Sequence, residues 1–274
     1  MPSLGLIAGN RSLPLVFARQ ARGMGVSPLV AVAFEGETDP ALAQLVDEMI
    51  WIKVGQLNKL IRAFSSRNIG QCVMLGQIAP KNLFDLRPDL RIVGMLLRLK
   101  ERNAHTLFTA LADELKRDGI ELIDPTPWLQ ALMPQDGFAL GPKPSAGQLA
   151  DAEYGFRIAK EISKLDIGQT VVVKSGAVLA VEGFEGTDAC LRRGGELAGD
   201  KGGVIAVKVA KPKHDTRFDL PCLGLQTLET CTAAGVSLLA FEANRTLLLD
   251  RPEIDEYARK HRLSVLAFVG AKGG

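Results

Sequence analysis

The chain has 274 residues, of which 47% are apolar and 23% are charged, and its acids and bases nearly cancel to a formal net charge of +2. This length allows two domains or one larger α/β domain, and the composition is typical of a soluble globular protein. The small net charge, the lack of a long basic run and the presence of only two Trp and two Tyr argue against nucleic acid as a partner.

Cysteine usage and the start of the chain favour a cytoplasmic protein. None of the four cysteines forms a C-x-x-C pair, so they are expected to be free thiols in a reducing compartment. No apolar run approaches the roughly 18 uncharged residues of a transmembrane helix, and the N-terminus lacks the basic region of a signal peptide. We therefore expect no membrane-spanning segment.

The first half of the chain alternates short apolar runs with amphipathic stretches. The predicted strands are Leu4–Ala8, Leu29–Phe34, Glu48–Ile52, Cys72–Leu75 and Ile120–Ile123. The predicted helices are Leu13–Arg22, Pro40–Leu45, Gln56–Ser66 and Thr106–Lys116. Alternation at this spacing predicts a doubly wound, mostly parallel sheet, which we assign to a Rossmann-like N-terminal domain over residues 1–130.

A proline-rich stretch separates the two halves. Residues 125–144 hold five prolines among few charges, and we predict a linker over residues 131–145. The predicted helices of the second half are Leu149–Lys164, Thr187–Ala198, Leu225–Ala233 and Pro252–Lys260. Its predicted strands are Thr170–Val173, Ala177–Val181, Gly203–Val209, Val236–Ala240, Thr246–Leu249 and Ser264–Val269. Because the first two of these strands form a hairpin, we predict a C-terminal α/β domain with a mixed sheet over residues 146–274.

The turn after the first predicted strand has the character of a ligand-binding turn. Gly9 and Asn10 lie between that strand and the helix that begins at Leu13, where backbone N–H groups and the helix dipole favour an anion. A purely structural turn explains the pattern equally well. A nicotinamide site is disfavoured, since the glycines do not form G-x-G-x-x-G.

A second such turn follows the fourth predicted strand. Gly76 and Gln77 leave this strand at its carboxyl end, where open α/β sheets bind ligands. Lys81 is placed to meet a phosphate. An ordinary loop with a surface lysine is an equally good explanation of this segment taken alone.

Acids and cations are concentrated in the second half of the chain. Thr187 and Asp188 open a predicted helix, with Glu185 just before it and Arg192 one turn later. A structural explanation exists for Asp188, because the helix dipole favours an acid in the first turn and Arg192 lies at i+4. This explanation does not account for the acids and the arginine pair that surround Asp188.

The loop after the strand Gly203–Val209 carries a second charged group. In an extended conformation Asp215, Arg217 and Asp219 lie on one side of the chain. Carboxylates suit Mg²⁺ and a guanidinium suits phosphate, so this row predicts a metal and polyphosphate site. A solvated loop is the simpler explanation for this segment alone, but the nearby Glu185 to Asp188 group favours the site.

The sequence lacks the motifs that several other kinds of active site require. The three histidines show no metal-ligand spacing, which argues against zinc or a histidine-based binuclear site. The chain contains no G-x-S-x-G, P-loop or kinase motif, which argues against ATP-driven chemistry.

Five motifs carry a family resemblance along essentially the whole chain. They are G-L-I-A-G-N (5–10), M-L-G-Q-I (74–78), D-I-G-Q-T-V-V-V (166–173), V-E-G-F-E-G-T-D (181–188) and K-x-x-K-P-x-x-D-x-R-F-D-x-P (208–221). In this order they closely resemble the LpxI family, the UDP-2,3-diacylglucosamine pyrophosphatases of lipid A biosynthesis. The last two motifs are the specific ones.

The resemblance implies a Mg²⁺-dependent hydrolase that converts UDP-2,3-diacylglucosamine to UMP and 2,3-diacylglucosamine 1-phosphate (lipid X). In the family, water attacks the phosphorus on the sugar side, and the ligand lies between two domains. The expected catalytic residues are Asp188, Asp219, Asp215, Arg192, Lys211 and Arg217. The expected metal ligands are Asp188, Asp219 and Glu185. The expected substrate-binding residues are Gly9, Asn10, Leu13, Gly76, Gln77, Lys81 and Thr187. Which acid is the base stays open.

The substrate implied by the resemblance carries two acyl chains. We therefore expect an apolar groove and a transient contact with the inner-membrane surface, and a homodimer is compatible with the chain. Three alternatives stay open: an NAD-dependent oxidoreductase, a non-catalytic nucleotide-sugar or lipid-binding protein, and a pyrophosphatase that acts on another nucleotide sugar.

Overall fold

A computed structural model describes residues 3–78, 88–99, 104–211, 215–218 and 220–270. The chain divides into two compact units. The N-terminal unit contains the described residues up to Leu129 together with Thr216–Phe218, and the C-terminal unit contains those from Gln130 to Asp215 and 220–270. The predicted two-domain α/β organisation is confirmed.

The N-terminal unit is built on a five-stranded parallel sheet. Its strands are β1 (Leu4–Ala8), β2 (Leu29–Phe34), β3 (Glu48–Ile52), β4 (Gln71–Leu75) and β5 (Glu121–Leu122), in the order β3-β2-β1-β4-β5. Every pairing in it is parallel, as the alternation of strands and helices predicts. The strand order reverses between β1 and β4, which is the position where open α/β sheets bind ligands.

The helices of this unit follow the predicted pattern with three differences. They are α1 (Leu13–Gly23), α2 (Leu57–Ser65), α3 (Leu90–Arg98), α4 (Ala104–Arg117) and α5 (Thr126–Leu129). The predicted helix at Pro40–Leu45 is a 3-10 turn, Pro40–Gln44, which begins where the Asp39 carboxylate accepts a hydrogen bond from the Ala41 N–H at 2.9 Å. The predicted helices include neither α3, which the Asp89 side chain caps, nor the four-residue α5.

Apolar strands explain why this sheet forms. All five residues of β1 are buried, as are the first five of β2. Ile7 and Val32 pack with Phe64 of α2 and Leu115 of α4 in one core cluster. Full burial of such side chains stabilises a fold by about 2 kcal/mol each, which favours strands with continuous apolar runs at the centre of a parallel sheet.

The C-terminal unit contains a six-stranded mixed sheet. Its strands are β6 (Ala139–Leu140), β7 (Thr170–Lys174), β8 (Ala177–Val181), β9 (Val204–Lys208), β11 (Val236–Glu242) and β13 (Ser264–Phe268), in the order β6-β13-β11-β9-β7-β8. A separate parallel pair joins β10 (Cys222–Leu223) to β12 (Leu247–Leu248). Strands β9, β11 and β13 are parallel, whereas β7 runs antiparallel to both β8 and β9, and β6 runs antiparallel to β13. The predicted mixed sheet is confirmed.

Helices cover both faces of this sheet. They are α6 (Ala146–Lys164), α7 (Thr187–Ala198), α8 (Leu225–Ala233) and α9 (Arg251–Lys260). Helix α6 packs against Val171 and Val207 on one face, and the other three helices pack with Val172 and Ala206 on the other. Strand β6 lies inside the predicted linker range 131–145 and pairs with β13, while the predicted domain boundaries stay a prediction. Within the described ranges, no helix has the length and apolar character to cross a membrane.

One edge of the C-terminal sheet gathers the exits of its parallel strands. Strands β9, β11 and β13 end there at Lys208, Glu242 and Phe268. Because β7 runs in the opposite direction, it begins at this edge with Thr170, and β8 ends there at Val181. We call this edge the carboxyl edge, and it is where α/β sheets hold their ligands.

Candidate active site

The two predicted ligand-binding turns of the N-terminal unit meet at the exits of β1 and β4. The Gly9 N–H donates to the Leu75 carbonyl at 2.8 Å, and the Asn10 N–H donates to the Gln77 carbonyl at 2.7 Å. A Cβ on Gly9 would lie 2.5 Å from the Gln77 carbonyl oxygen. Gly76 has a φ of +92°, and its Cβ position is 2.7 Å from the Asn10 carbonyl oxygen. The two turns therefore require glycine for their close approach.

Asn10 has a buried atom available to a ligand. Its Nδ2 donates to the Glu37 carboxylate at 2.6 Å, whereas its Oδ1 is buried and accepts no hydrogen bond from any residue that the structure describes. A buried acceptor without a donor is costly, so this oxygen is suited to accept from a bound molecule. Glu37 is not among the predicted site residues, because 27 positions separate it from Asn10.

One other predicted substrate-binding residue, Leu13, does not join this group. Leu13, the first residue of α1, is buried with 8% exposure and is part of the core. Lys81 lies outside the described residues. Their substrate-binding roles stay predictions.

Helix α7 begins at the carboxyl edge with no side-chain cap. Its N-cap residue is Gly186, at a φ of +82°, and Thr187 and Asp188 occupy its first turn. The first N–H groups of a helix and the positive end of its dipole favour an anion at such a terminus.

Thr187 is the centre of a buried polar group. Its hydroxyl donates to the Glu182 carboxylate at 3.1 Å, accepts from the Lys208 Nζ at 3.3 Å, and lies 3.4 Å from the Thr170 hydroxyl. Thr170, Glu182 and Lys208 are 0%, 6% and 8% exposed. The second Glu182 oxygen accepts from the Gln169 N–H at 3.3 Å. We call Thr170, Glu182, Thr187 and Lys208 the Thr187 cluster.

Strand pairing brings the Thr187 cluster together. Thr170 opens β7 and is the register partner of Lys208, the last residue of β9. Glu182 follows β8, and its N–H donates to the Thr170 carbonyl at 2.8 Å. Because side chains alternate along a strand, Lys208 shares the face of Ala206, which packs with the helices α7 to α9. Glu182 and Lys208 are therefore site residues that the sequence motifs contain but do not single out.

The predicted metal ligand Glu185 is held by an ion pair. Its carboxylate lies 2.6 Å from the Arg193 guanidinium and accepts from the Gly183 N–H at 3.0 Å. The hydrogen bond from Arg193 lowers the pKa of Glu185 below the ordinary glutamate value. A metal ion at Glu185 would have to compete with this guanidinium, and its role as a ligand stays a prediction.

Asp188 is half-buried at the start of α7, close to the Thr187 cluster. Its carboxylate accepts from the Gln226 Nε2 at 3.4 Å, and no ion pair joins it to the exposed Arg192 within the described parts of the chain. Burial raises the pKa of the Cys231 thiol to about 12; Asp188 adds to this rise and Lys208 opposes it. Both charges are therefore close to the same buried region, and an ion pair within the helix does not explain Asp188.

The chain leaves β9 through a segment that is held from one side by two charged side chains. The Glu242 carboxylate accepts from the Ala210 N–H at 2.8 Å and from the Lys160 Nζ at 3.0 Å, and the same Nζ donates to the Ala210 carbonyl at 3.2 Å. We call Lys160 and Glu242 the brace. The next residue, the predicted catalytic Lys211, forms an ion pair with Asp166. The brace therefore fixes the backbone directly before a predicted site residue, and the sequence motifs do not include it.

The described part of the charged loop, residues 215–218, is not extended as expected. Residues 216–218 form a turn and belong to the N-terminal unit, where the rings of Phe218 and Phe108 stack with centroids 5.5 Å apart. The Arg217 guanidinium lies 5.4 Å from the Phe218 ring. The expectation that Asp215 and Arg217 share one side of an extended chain is therefore wrong, because the backbone turns between them. Asp219 lies outside the described residues.

A magnesium site is compatible with the donor atoms present. Among the residues that the structure describes, no three His, Cys, Asp or Glu side chains are grouped as for a metal ion. The predicted set of Asp188, Asp219 and Glu185 stays a prediction, since Asp219 is not described. Mg²⁺ takes one or two protein carboxylates and fills its other positions with water and phosphate oxygens. The half-buried carboxylate of Asp188 at the carboxyl edge fits that requirement.

Solved structures give only remote similarities. The biotin carboxylase domain of 2-oxoglutarate carboxylase from Hydrogenobacter thermophilus shares 17% identity at a TM-score of 0.27, over 64% of this chain and 35% of its own. N5-carboxyaminoimidazole ribonucleotide synthetase from Thermotoga maritima shares 12% identity at a TM-score of 0.26, over 68% and 42%. The chain spans less than half the length of these proteins, and scores this low carry no argument about fold or function.

One curated relative and two family models cover most of the chain. A curated relative from Caulobacter vibrioides, "UDP-2,3-diacylglucosamine pyrophosphatase LpxI", is 30% identical over 264 residues, which are 93% of this chain and 93% of that protein. The model of the LpxI N-terminal domain matches residues 3–132, and the model of the LpxI C-terminal domain matches residues 135–266. With both domains matched in order, and with the turns and charged motifs placed at the carboxyl ends of its two sheets, the chain belongs to the LpxI family.

Proposed function

We propose that this protein is a Mg²⁺-dependent hydrolase of lipid A biosynthesis that cleaves the diphosphate bond of UDP-2,3-diacylglucosamine to UMP and 2,3-diacylglucosamine 1-phosphate. The observation that carries the proposal is the match to both LpxI domains, together with a relative of nearly equal length that is named for this activity. The placement of the charged motifs at the carboxyl edge supports it.

Diphosphate hydrolysis depends mainly on positioned charge and an oriented water, since the protein has little covalent chemistry to perform. In our proposal the cations of the C-terminal motifs stabilise charge on the phosphates; these are Arg192, Lys211 and Arg217. Asp188, Asp215 and Asp219 are the candidates for orienting the attacking water toward the phosphorus on the sugar side. Asp188 and Asp219 would hold the metal, with Glu185 as a further ligand. When bound, Mg²⁺ would neutralise charge on the diphosphate oxygens.

The N-terminal unit is proposed to bind the nucleotide. Gly9 and Gly76 let the two turns close on each other at the switch point between β1 and β4, where α/β sheets bind nucleotides. The buried Asn10 Oδ1 is suited to accept from a ribose hydroxyl or from the N–H of the uracil ring. Gln77 and Lys81 complete this proposed contact.

Three exposed apolar side chains support a transient contact with the inner-membrane surface. Leu165, Ile167 and Phe184 are 71%, 51% and 109% exposed. Their two loops adjoin, because the Glu182 N–H donates to the Thr170 carbonyl between them. We call Leu165, Ile167 and Phe184 the apolar loop tips. Side chains of this kind insert into the interface of a bilayer, and a cytoplasmic enzyme whose substrate carries two acyl chains must collect it there.

A substrate panel tests the proposed reaction. The purified protein is incubated with UDP-2,3-diacylglucosamine or UDP-N-acetylglucosamine, each with Mg²⁺ or with excess EDTA, and UMP is measured by chromatography. We expect UMP only from the lipid substrate with Mg²⁺. Full activity in EDTA would remove the metal from the proposal. Equal rates on both substrates would favour a pyrophosphatase of broader specificity, and no UMP at all would favour a binding protein.

The assignment of Asp219 has its own test. We expect Asp219→Ala to bind UDP-2,3-diacylglucosamine with an affinity close to that of the wild type and to lose most of kcat, because the proposed role is in the chemical step. Asp200→Ala, at an exposed position just beyond α7, is the matched control and should retain full activity. A wild-type kcat for Asp219→Ala would contradict the assignment.

A further inference from the structure

We propose that Lys208 binds a phosphate oxygen of the substrate directly, and that Glu182 and Thr187 position its ammonium group. The inference rests on the proposed function for the identity of the substrate. It goes beyond that function in naming the side chain that holds one phosphate group and the two side chains that orient it.

Lys208 is a buried cation that does not use all of its hydrogen-bond donors. Its side chain ends within the C-terminal unit and the residue is only 8% exposed. An ammonium group has three donors, and one of them is directed at the Thr187 hydroxyl at 3.3 Å. In the described parts of the chain, no carboxylate forms an ion pair with it and no second acceptor lies within hydrogen-bond distance. Two of its donors are therefore open to a ligand.

Within the described ranges, no direct ion pair compensates this charge. The nearest helix terminus is the start of α7, where the dipole is positive and no side-chain cap is present. Glu182 is the acid of the Thr187 cluster, and the Thr187 hydroxyl lies between its carboxylate and the Lys208 ammonium. A buried ammonium is costly unless a negative group pairs with it. An anion placed before the first turn of α7 would pair with both the ammonium and the helix N–H groups.

The hydrogen bonds in the Thr187 cluster run in one direction. A carboxylate can only accept and an ammonium can only donate, so the single proton of the Thr187 hydroxyl must point to Glu182 and its lone pairs must face Lys208. The Gln169 N–H fixes the other Glu182 oxygen at 3.3 Å. Glu182 thus orients the hydroxyl, and the hydroxyl in turn orients the ammonium. Glu182 and Thr187 are positioning residues for Lys208.

The arrangement is chemically matched to a diphosphate. Lys208 ends β9 three residues before Lys211, which forms an ion pair on the same exit segment. Asp188 lies one residue after Thr187 at the start of α7. A phosphate between these groups would meet Lys208 and the helix N–H groups, with the proposed metal ligand Asp188 next to it.

The decisive variant is Lys208→Met, which keeps the length of the side chain and removes its charge. Because a buried cation without a carboxylate partner is removed, we expect the free energy of unfolding to equal or exceed that of the wild type. We expect the affinity for UDP and for inorganic pyrophosphate, measured by calorimetry in EDTA, to fall at least tenfold. We expect kcat/KM for the lipid substrate to fall about 100-fold, as when one preorganised donor is lost. The matched control is Lys174→Met, at the opposite end of β7, where the lysine donates to the Ala198 carbonyl at 2.9 Å.

The positioning roles are tested by a second pair of variants. Thr187→Val keeps the shape and removes the hydroxyl, so we expect about a tenfold loss of kcat/KM, and Thr187→Ser should restore most of the activity. Serine keeps the hydroxyl, whereas valine keeps only the shape of threonine. Activity that serine restores and valine does not therefore shows that residue 187 orients Lys208 and does not act through packing alone. Equal activity of the valine and serine variants would overturn the positioning role.

The outcomes separate this inference from the proposed function. If the wild type hydrolyses UDP-2,3-diacylglucosamine and Lys208→Met binds UDP and pyrophosphate as the wild type does, the inference is wrong and the function stands. If no hydrolysis occurs but anion binding still requires Lys208, the function is wrong and the phosphate contact stands. A clear loss of stability in Lys208→Met would show a structural lysine and would also overturn the inference.

Discussion

The brace gives the sharpest prediction about how the C-terminal unit is held together. Glu242 is only 8% exposed. Each of its two carboxylate oxygens accepts a hydrogen bond from the Lys160 Nζ at 3.0 Å, and one of them also accepts from the Ala210 N–H at 2.8 Å. Glu242→Ala removes all of these contacts at once. It leaves the Ala210 N–H without its acceptor, while Lys160 keeps its bond to the Ala210 carbonyl at 3.2 Å.

The expected cost follows from these contacts. Removing one partner of a fully buried ion pair costs about 3–5 kcal/mol, and an unsatisfied buried N–H costs about 1–3 kcal/mol. The Lys160 side chain is 23% exposed, so water can reach part of its ammonium and the lower end applies. We therefore expect Glu242→Ala to lower the free energy of unfolding of the C-terminal unit by about 3 kcal/mol.

Amide hydrogen exchange measures this cost within the unit concerned. A loss of about 3 kcal/mol corresponds to roughly 150-fold less protection of the slowest amides in β9 and β11. Glu161→Ala is the matched control, since Glu161 forms an exposed ion pair with Lys164 on α6 and should change stability by less than about 0.5 kcal/mol. Glu242→Ala should also lower kcat/KM, because the segment before Lys211 is released. Protection within threefold of the wild type would refute the buried character of the brace.

Three further predictions concern other parts of the molecule. Gly9→Ala places a Cβ 2.5 Å from the Gln77 carbonyl oxygen and should lower the free energy of unfolding by about 1–3 kcal/mol, measured by thermal unfolding. The control Gly23→Ala has no atom within 4 Å of the new Cβ and should not lower it. Equal stability of the two variants would contradict the close approach of the turns. Because the hydrogen bond from Arg193 lowers the pKa of Glu185, the Glu185 carboxylate should keep its hydrogen bond from the Gly183 N–H as the pH falls through the ordinary glutamate range. An NMR titration of the Gly183 N–H with a midpoint at or above 4.5 would contradict this. Phe184→Ser should weaken co-sedimentation with anionic lipid vesicles severalfold, whereas Met24→Ser, at another exposed apolar side chain, should not; equal binding of the two variants would remove the apolar loop tips from the membrane contact.

Long apolar runs explain why the core of the fold is predictable from the sequence. Strands β1 and β2 have the predicted bounds, Leu4–Ala8 and Leu29–Phe34, because strands at the centre of a parallel sheet are buried on both faces and keep continuous apolar sequences. Strands β6 and β10 have two residues each, too few for any periodicity to show. Helix α3 did carry a signal, since Asp89 caps it before an apolar run.

The site is predictable in its motifs but not in its pairings. Thr187 and Asp188 stand out at a helix start after a glycine. Lys208 and Glu182 become site residues only because β7 pairs with both β8 and β9, which places them beside Thr187. The brace joins side chains 82 positions apart, and no local pattern contains that distance. One signal was available, since Glu242 is an acid that ends a mostly apolar strand at the ligand edge.

The charged loop shows where alternation of residue types misleads. Alternating charges between Asp215 and Phe218 predict an extended chain, but residues 216–218 form a turn. The aromatic ring of Phe218 packs with the core of the N-terminal unit, and this burial outweighs the local pattern.

Hydrolysis in H₂¹⁸O tests whether water cleaves the diphosphate bond at the sugar-side phosphorus. The protein is incubated with UDP-2,3-diacylglucosamine and Mg²⁺ in labelled water, and both products are analysed by mass spectrometry. We expect equal amounts of UMP and 2,3-diacylglucosamine 1-phosphate, with one ¹⁸O in the phosphate of the lipid product and none in UMP. Label in UMP would contradict attack on the sugar-side phosphorus, and the absence of both products would contradict the proposed function itself.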